Sequence, residues 1–118
     1  MTDRAISRLE AKIAREARQQ ADAGLRALVA TRAGRTFFWH ILSLTGLFAN
    51  PHNGNALNTA FACGEQNIGQ KLLDELTRVA PDAYIEMIKE SQEDDRINTA
   101  RRDRAAGLAD PGTDEPDD

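Results

Sequence analysis

The sequence predicts an all-α fold: a small bundle of about four helices, with long polar terminal helices and a disordered acidic C-terminal tail. Three observations carry this expectation. Apolar residues recur at three- and four-residue steps through four successive segments. No stretch sustains the apolar–polar alternation of a half-buried strand. The chain of 118 residues, 41% apolar and 29% charged, has the length and composition of one globular domain.

The first segment, residues 1–30, reads as an amphipathic helix from about Asp3 to Ala30. Its apolar and small residues, Ile6, Leu9, Ile13, Ala17, Ala21, Leu25 and Leu28, form one stripe. Good helix formers fill it, and Gly24 weakens it by ~1 kcal/mol. At about 100° per residue, Arg4, Arg8, Lys12, Arg15 and Arg26 fall on a narrow band roughly opposite the stripe. Alanine occupies the middle of the stripe, so the helix packs closely or weakly there.

Residues 31–90 are expected to hold the helical core domain. A second helix starts at Thr31, a natural N-cap, and runs to around Phe48. Phe37, Phe38, Ile41, Leu42, Leu44, Leu47 and Phe48 cover most of its circumference, with Thr36, His40 and Ser43 as the polar strip. A helix apolar nearly all round belongs at the centre of a bundle. Residues 49–55, rich in Asn, Gly and Pro, form a loop.

A third helix follows from about Ala56 to Ala80, capped by Asn55, with Leu57, Ala60, Phe61, Gly64, Ile68, Leu72, Leu76 and Val79 in helical spacing. Gly64 on that stripe and Gly69 beside it each cost ~1 kcal/mol relative to alanine, which close helix packing would explain. The expected core is Phe37, Phe38, Ile41, Leu42, Phe48, Phe61, Ile68 and Leu72.

Ala80-Pro81-Asp82 ends the third helix and opens a fourth, with Pro81 and Asp82 suited to a first turn. Tyr84, Ile85 and Ile88, with Met87 beside them, are its docking residues. Residues 91–109 form a polar helical extension, acidic first (Glu93, Asp94, Asp95) and basic afterwards (Arg101, Arg102, Arg104). Residues 110–118 carry acids and prolines without an apolar side chain, the composition of a disordered tail.

The catalytic and metal-ligating inventory is thin. His40, His52 and Cys63 are the only residues of their types. Cys63 reads as a packed helical thiol, His52 as a solvated loop residue and His40 as a histidine hydrogen-bonded by Thr36 or Ser43. Zinc spacing, a calcium loop, a phosphate-binding glycine loop and a nucleophile elbow are all missing, so the expectation is a non-enzyme without a cofactor or metal. No apolar run approaches ~20 residues, no signal peptide opens the chain, and alanine fills much of the first helix's stripe where surface attachment needs large apolar anchors, so no membrane association is expected.

Charge gives the candidate contact residues. The first forty residues are net positive and the remainder net negative, within an overall charge of −4. Arg4, Arg8, Lys12, Arg15 and Arg26 could neutralise phosphates, but the helix also carries Glu10, Glu16 and Asp22 and no interleaved aromatic residue. An acidic protein surface suits the same band, including Glu90, Glu93, Asp94 and Asp95 of another copy. Nucleic acid is the alternative partner.

The segment from Arg26 to Glu90 resembles a family of small all-helical proteins of short-tailed, podovirus-type phages. In that pattern a Thr/Pro-x-x-Gly-Arg turn, here Thr31 to Arg35, precedes an aromatic-rich helix closing in Thr45-Gly46-Leu47-Phe48. Ala60-Phe61, Gly64, Asn67 and Gly69, then Lys71-Leu72-Leu73, follow the family's next helix, and Pro81, Tyr84 and Met87 its last segment. Glu65-Gln66 departs from the basic pair of the family's Gly-Arg-Arg-Asn form. The resemblance implies genes among head and portal genes and a largely unassigned function. The expectation is therefore a non-enzymatic virion or assembly protein, in the virion or host cytoplasm. It would meet portal, tail or ejection components and associate with itself.

Overall fold

The computed structural model describes residues 2–51 and 54–109. It contains four helices, α1 (Asp3–Val29), α2 (Arg32–Leu44), α3 (Ala56–Val79) and α4 (Pro81–Ala109), and no strand among the described residues. The all-α expectation holds. The expected tail at 110–118, and His52, lie outside the described residues.

The starts of α1, α2 and α3 each follow from a side chain that satisfies an orphan N–H. The Thr2 hydroxyl accepts from the Ala5 amide at 3.2 Å, and the Thr31 hydroxyl from the Gly34 amide at 3.1 Å. The Asn55 carboxamide oxygen accepts from both Leu57 and Asn58, at 3.0 and 3.1 Å. Pro81 opens α4, where its missing N–H has no consequence.

The corner between α1 and α2 uses three residues of one motif. Thr31 caps α2, and the Arg35 guanidinium donates to the Val29 carbonyl at 3.1 Å, satisfying an orphan acceptor at the end of α1. Gly34 lies between them, buried, where a Cβ would collide with the Leu28 carbonyl. The glycine is therefore a condition for this corner.

α2 ends at Leu44, short of the expected Phe48. The Thr45 hydroxyl donates to the Leu42 carbonyl at 2.6 Å, and Gly46 takes the left-handed conformation with φ +67° that closes a helix. Residues 45–49 form a turn against α3, and Gln66 of α3 holds it. The Gln66 amide donates to the carbonyls of Leu47 and Ala49 at 3.0 and 2.9 Å, with a longer contact to Gly46. One turn further along α3, a Cβ on Gly69 would collide with Thr45.

The chain divides into two compact units at Tyr84/Ile85, inside α4. In the first, α1, α2 and α3 contact one another pairwise and bury Val29, Phe38, Leu42 and Leu76. In the second, Met87 and Glu90 are buried, and from Gln92 to Leu108 every described residue except Asp94 is exposed.

The core is smaller than the apolar pattern suggests. Phe38 and Leu42 are buried as expected, and Ile41 and Leu72 are half-buried. Phe37, Phe48, Phe61 and Ile68 are exposed, so their assignment to the core was incorrect. α2 and α3 each carry more than one apolar face, and only one face of each meets another helix of this unit. α2 is therefore not enclosed on all sides. Phe48 instead stacks on Trp39, with ring centroids 5.6 Å apart.

Candidate interaction surfaces

The basic band divides into two parts. Arg4, Arg8, Lys12 and Arg15 are exposed along the N-terminal half of α1, where every residue from Ile6 to Ala21 is exposed. The apolar residues opposite them, Ile6, Leu9 and Ile13, are exposed as well. The alanine-filled middle of α1 thus marks an unpacked helix, not a close approach.

Arg26 belongs to a different setting. Asp22, one turn before it on the same face, accepts from the Arg78 guanidinium of α3 at 2.8 and 3.2 Å, a two-point pair. Arg78 also reaches Glu75 at 2.6 Å. The hydrogen bond from Arg78 holds the Asp22 carboxyl below the usual carboxylate range, against a smaller opposing effect of burial, and the positive charges of Arg78, Arg26 and Arg18 add to it. The bonds to Asp22 and Glu75 hold Arg78 firmly protonated. Arg26 is therefore exposed but offset by Asp22, which lies within the band. The Asp22–Arg78 pair left no sequence signal, because its members lie 56 positions apart.

The acidic candidates also divide. Glu93 and Asp95 are exposed, whereas Glu90 is buried and Asp94 half-buried, and neither Glu90 nor Asp94 is free. A contact through residues 90–95 is thus reduced to Glu93 and Asp95.

His40 is exposed, and the Ser43 hydroxyl donates to the Trp39 carbonyl at 2.9 Å rather than to the imidazole. Cys63 is exposed on α3, beside a shallow cleft with Leu47, Gln66, Asn67 and Gln70. The expected packed thiol and hydrogen-bonded histidine are both corrected. Among the described residues neither is brought to a partner that would activate it.

The least expected surface lies on α3. Leu57, Phe61 and Ile68 are 79%, 71% and 55% exposed and share one face of the helix. Gly64, at the middle of that face, has open space where a Cβ would stand. The close approach expected at Gly64 is absent among the described residues; Gly34 and Gly69 make the close approaches instead. Leu44 of α2, also exposed, borders an open cleft with Ala62 and Glu65, and so adjoins this face. Among the described residues no helix is long and apolar enough to cross a membrane.

These features describe an all-α protein with two open helix faces, one cationic and one apolar. A family model described as Bbp19-like phage protein matches residues 25–89, more than half of the chain. The chain belongs to this phage protein family. The matched span nearly coincides with the 26–90 segment that carries the phage-like motif, so the first twenty-four residues, with most of the basic band, lie outside it. No curated protein and no solved structure matches the chain.

Proposed function

We propose that this chain is a non-enzymatic virion or assembly protein of a short-tailed phage, encoded among head and portal genes. It acts through contacts with portal, tail or internal ejection components and with other copies of itself. The observation that carries this reading is the N-terminal half of α1, a formed helix whose cationic and apolar faces are both exposed. Isolated helices of this kind are marginal in water, so a partner surface gives such a helix its stability. Membership of a phage family supports the setting.

Mass spectrometry of purified procapsids and mature particles tests the proposal. The protein is expected in at least one of them, in stoichiometric amount. Absence from both overturns the structural role. Reversing Arg8, Lys12 and Arg15 to glutamate should abolish incorporation while leaving the fold intact, since all three are exposed.

The exposed cations Arg4, Arg8, Lys12 and Arg15 favour one second reading, a nucleic-acid-associated phage protein. It requires a salt-dependent shift of duplex DNA that the triple reversal removes. Binding to DNA without incorporation into particles would select it.

A further inference from the structure

The exposed face of α3 has the composition and spacing to receive a second copy of itself. The same helix presents two unlike faces. Its inner face carries Gln66, Gly69 and Leu76, each engaged with the turn or the core. Its outer face carries Leu57, Phe61, Gly64 and Ile68, with half-buried Leu72 at its border, and no charge lies on the stripe between Leu57 and Ile68. Soluble proteins seldom leave such side chains uncovered on adjacent turns. With Leu44 beside them, they expose on the order of 500 Å² of apolar surface, near the upper end for a monomer and most of the ~800 Å² per partner of a standard interface.

The order of residues along this face chooses the occupant. When two copies of α3 run antiparallel and cross beside Gly64, Phe61 faces Ile68 of the other copy and Leu57 faces its Leu72. Both pairings arise from one two-fold axis between positions 64 and 65, as an isologous contact requires. The missing side chain of Gly64 stands at the crossing, where two helix backbones come closest. Unlike Gly34 and Gly69, it has no neighbour among the described residues where a Cβ would stand.

We infer that this protein forms a two-fold dimer through antiparallel contact of the outer α3 faces, with Gly64 at the crossing. The inference is independent of a role in the virion and of the cationic face of α1. Its salt dependence separates it from an α1 contact. Ion pairing between the basic band and Glu93 or Asp95 weakens as salt rises. The α3 contact is apolar, and the two Glu65 carboxylates lie on the same rim, so it holds or tightens.

Sedimentation equilibrium of the full chain across concentration, at low and high salt, gives the test. Wild type is expected to dimerise at both. F61E and I68K should each weaken the dimer by at least about a hundredfold, since each sets a charge against an apolar side chain. Mixed together they should re-form a heterodimer, because the antiparallel register sets the new carboxylate against the new ammonium. Gly64→Leu should abolish dimerisation without loss of helical circular dichroism, as its side chain enters open space in the single chain. A monomer at all concentrations overturns the inference. So does a dimer that F61E and Gly64→Leu leave intact, or one that high salt dissolves. A mixture of F61E and I68K that stays monomeric overturns the antiparallel register.

Discussion

The inner and outer faces of α3 carry similar residue types and reach opposite ends. On the inner face, Gly69 is a glycine because Thr45 occupies the space of its Cβ, and Gln66 is polar because three backbone carbonyls of a turn converge on it. On the outer face, Gly64 meets nothing and Phe61 faces solvent. The two glycines thus have no fixed meaning along this helix. What each does is set by whether another element arrives at that azimuth.

Substitutions that strike one face and spare the other put this contrast to the test, and the largest effect is expected in the core that the inner face covers. Phe38→Ala should cost ~3–5 kcal/mol in urea unfolding, while Phe61→Ala in the monomer costs less than about 1 kcal/mol. Equal losses would break the assignment of the two faces. Gly34→Ala should cost ~3 kcal/mol, because the clash is with a backbone carbonyl that cannot rotate aside. Gln66→Ala leaves carbonyls of the 45–49 turn without their donor and should cost ~1–3 kcal/mol. Gly64→Ala should instead stabilise the monomer by ~0.5–1 kcal/mol through helix propensity, raising its melting temperature.

The smallest effect belongs to Asp22. Its carboxyl is held below the ordinary range in the folded chain, so the folded state favours the ionised form. That stabilisation is full above the usual carboxylate range and is lost as pH falls through the depressed native value. Asp22→Asn should remove this portion of the acid-side slope, measured as stability against pH, and leave the neutral-side plateau flat.

The helices themselves were legible in the sequence because their signals are local. Thr31, Asn55 and Pro81 mark starts that coincide with those observed, and apolar steps of three and four residues fix the segments between them. The end of α2 was less legible. Leu47 and Phe48 continue the apolar pattern, and only the left-handed turn at Gly46 and the bond from Thr45 stop the helix. Burial was the least legible property. Periodicity shows that Phe37, Phe48, Phe61 and Ile68 lie on apolar faces, but not whether the chain has another helix to cover those faces. Gln66, which departs from the related motif, proved structural: its role requires the 45–49 turn, nearly twenty residues away.

The corner at Arg35 and the clasp between Asp22 and Arg78 hold α1 at two places, on either side of Gly24. Gly24 is the weakest residue in that helix, with no neighbour to stiffen it. Mounted on both sides of its weak point, α1 has little freedom to swing there, and the stretch from Asp22 back to Asp3 extends ~28 Å as a cantilever. Its cations thereby share one helix face in a stretch, Ile6 to Ala21, where every residue is exposed. A partner meeting that row also holds the helix in shape, so part of each weak ion pair goes into ordering the stretch rather than into affinity.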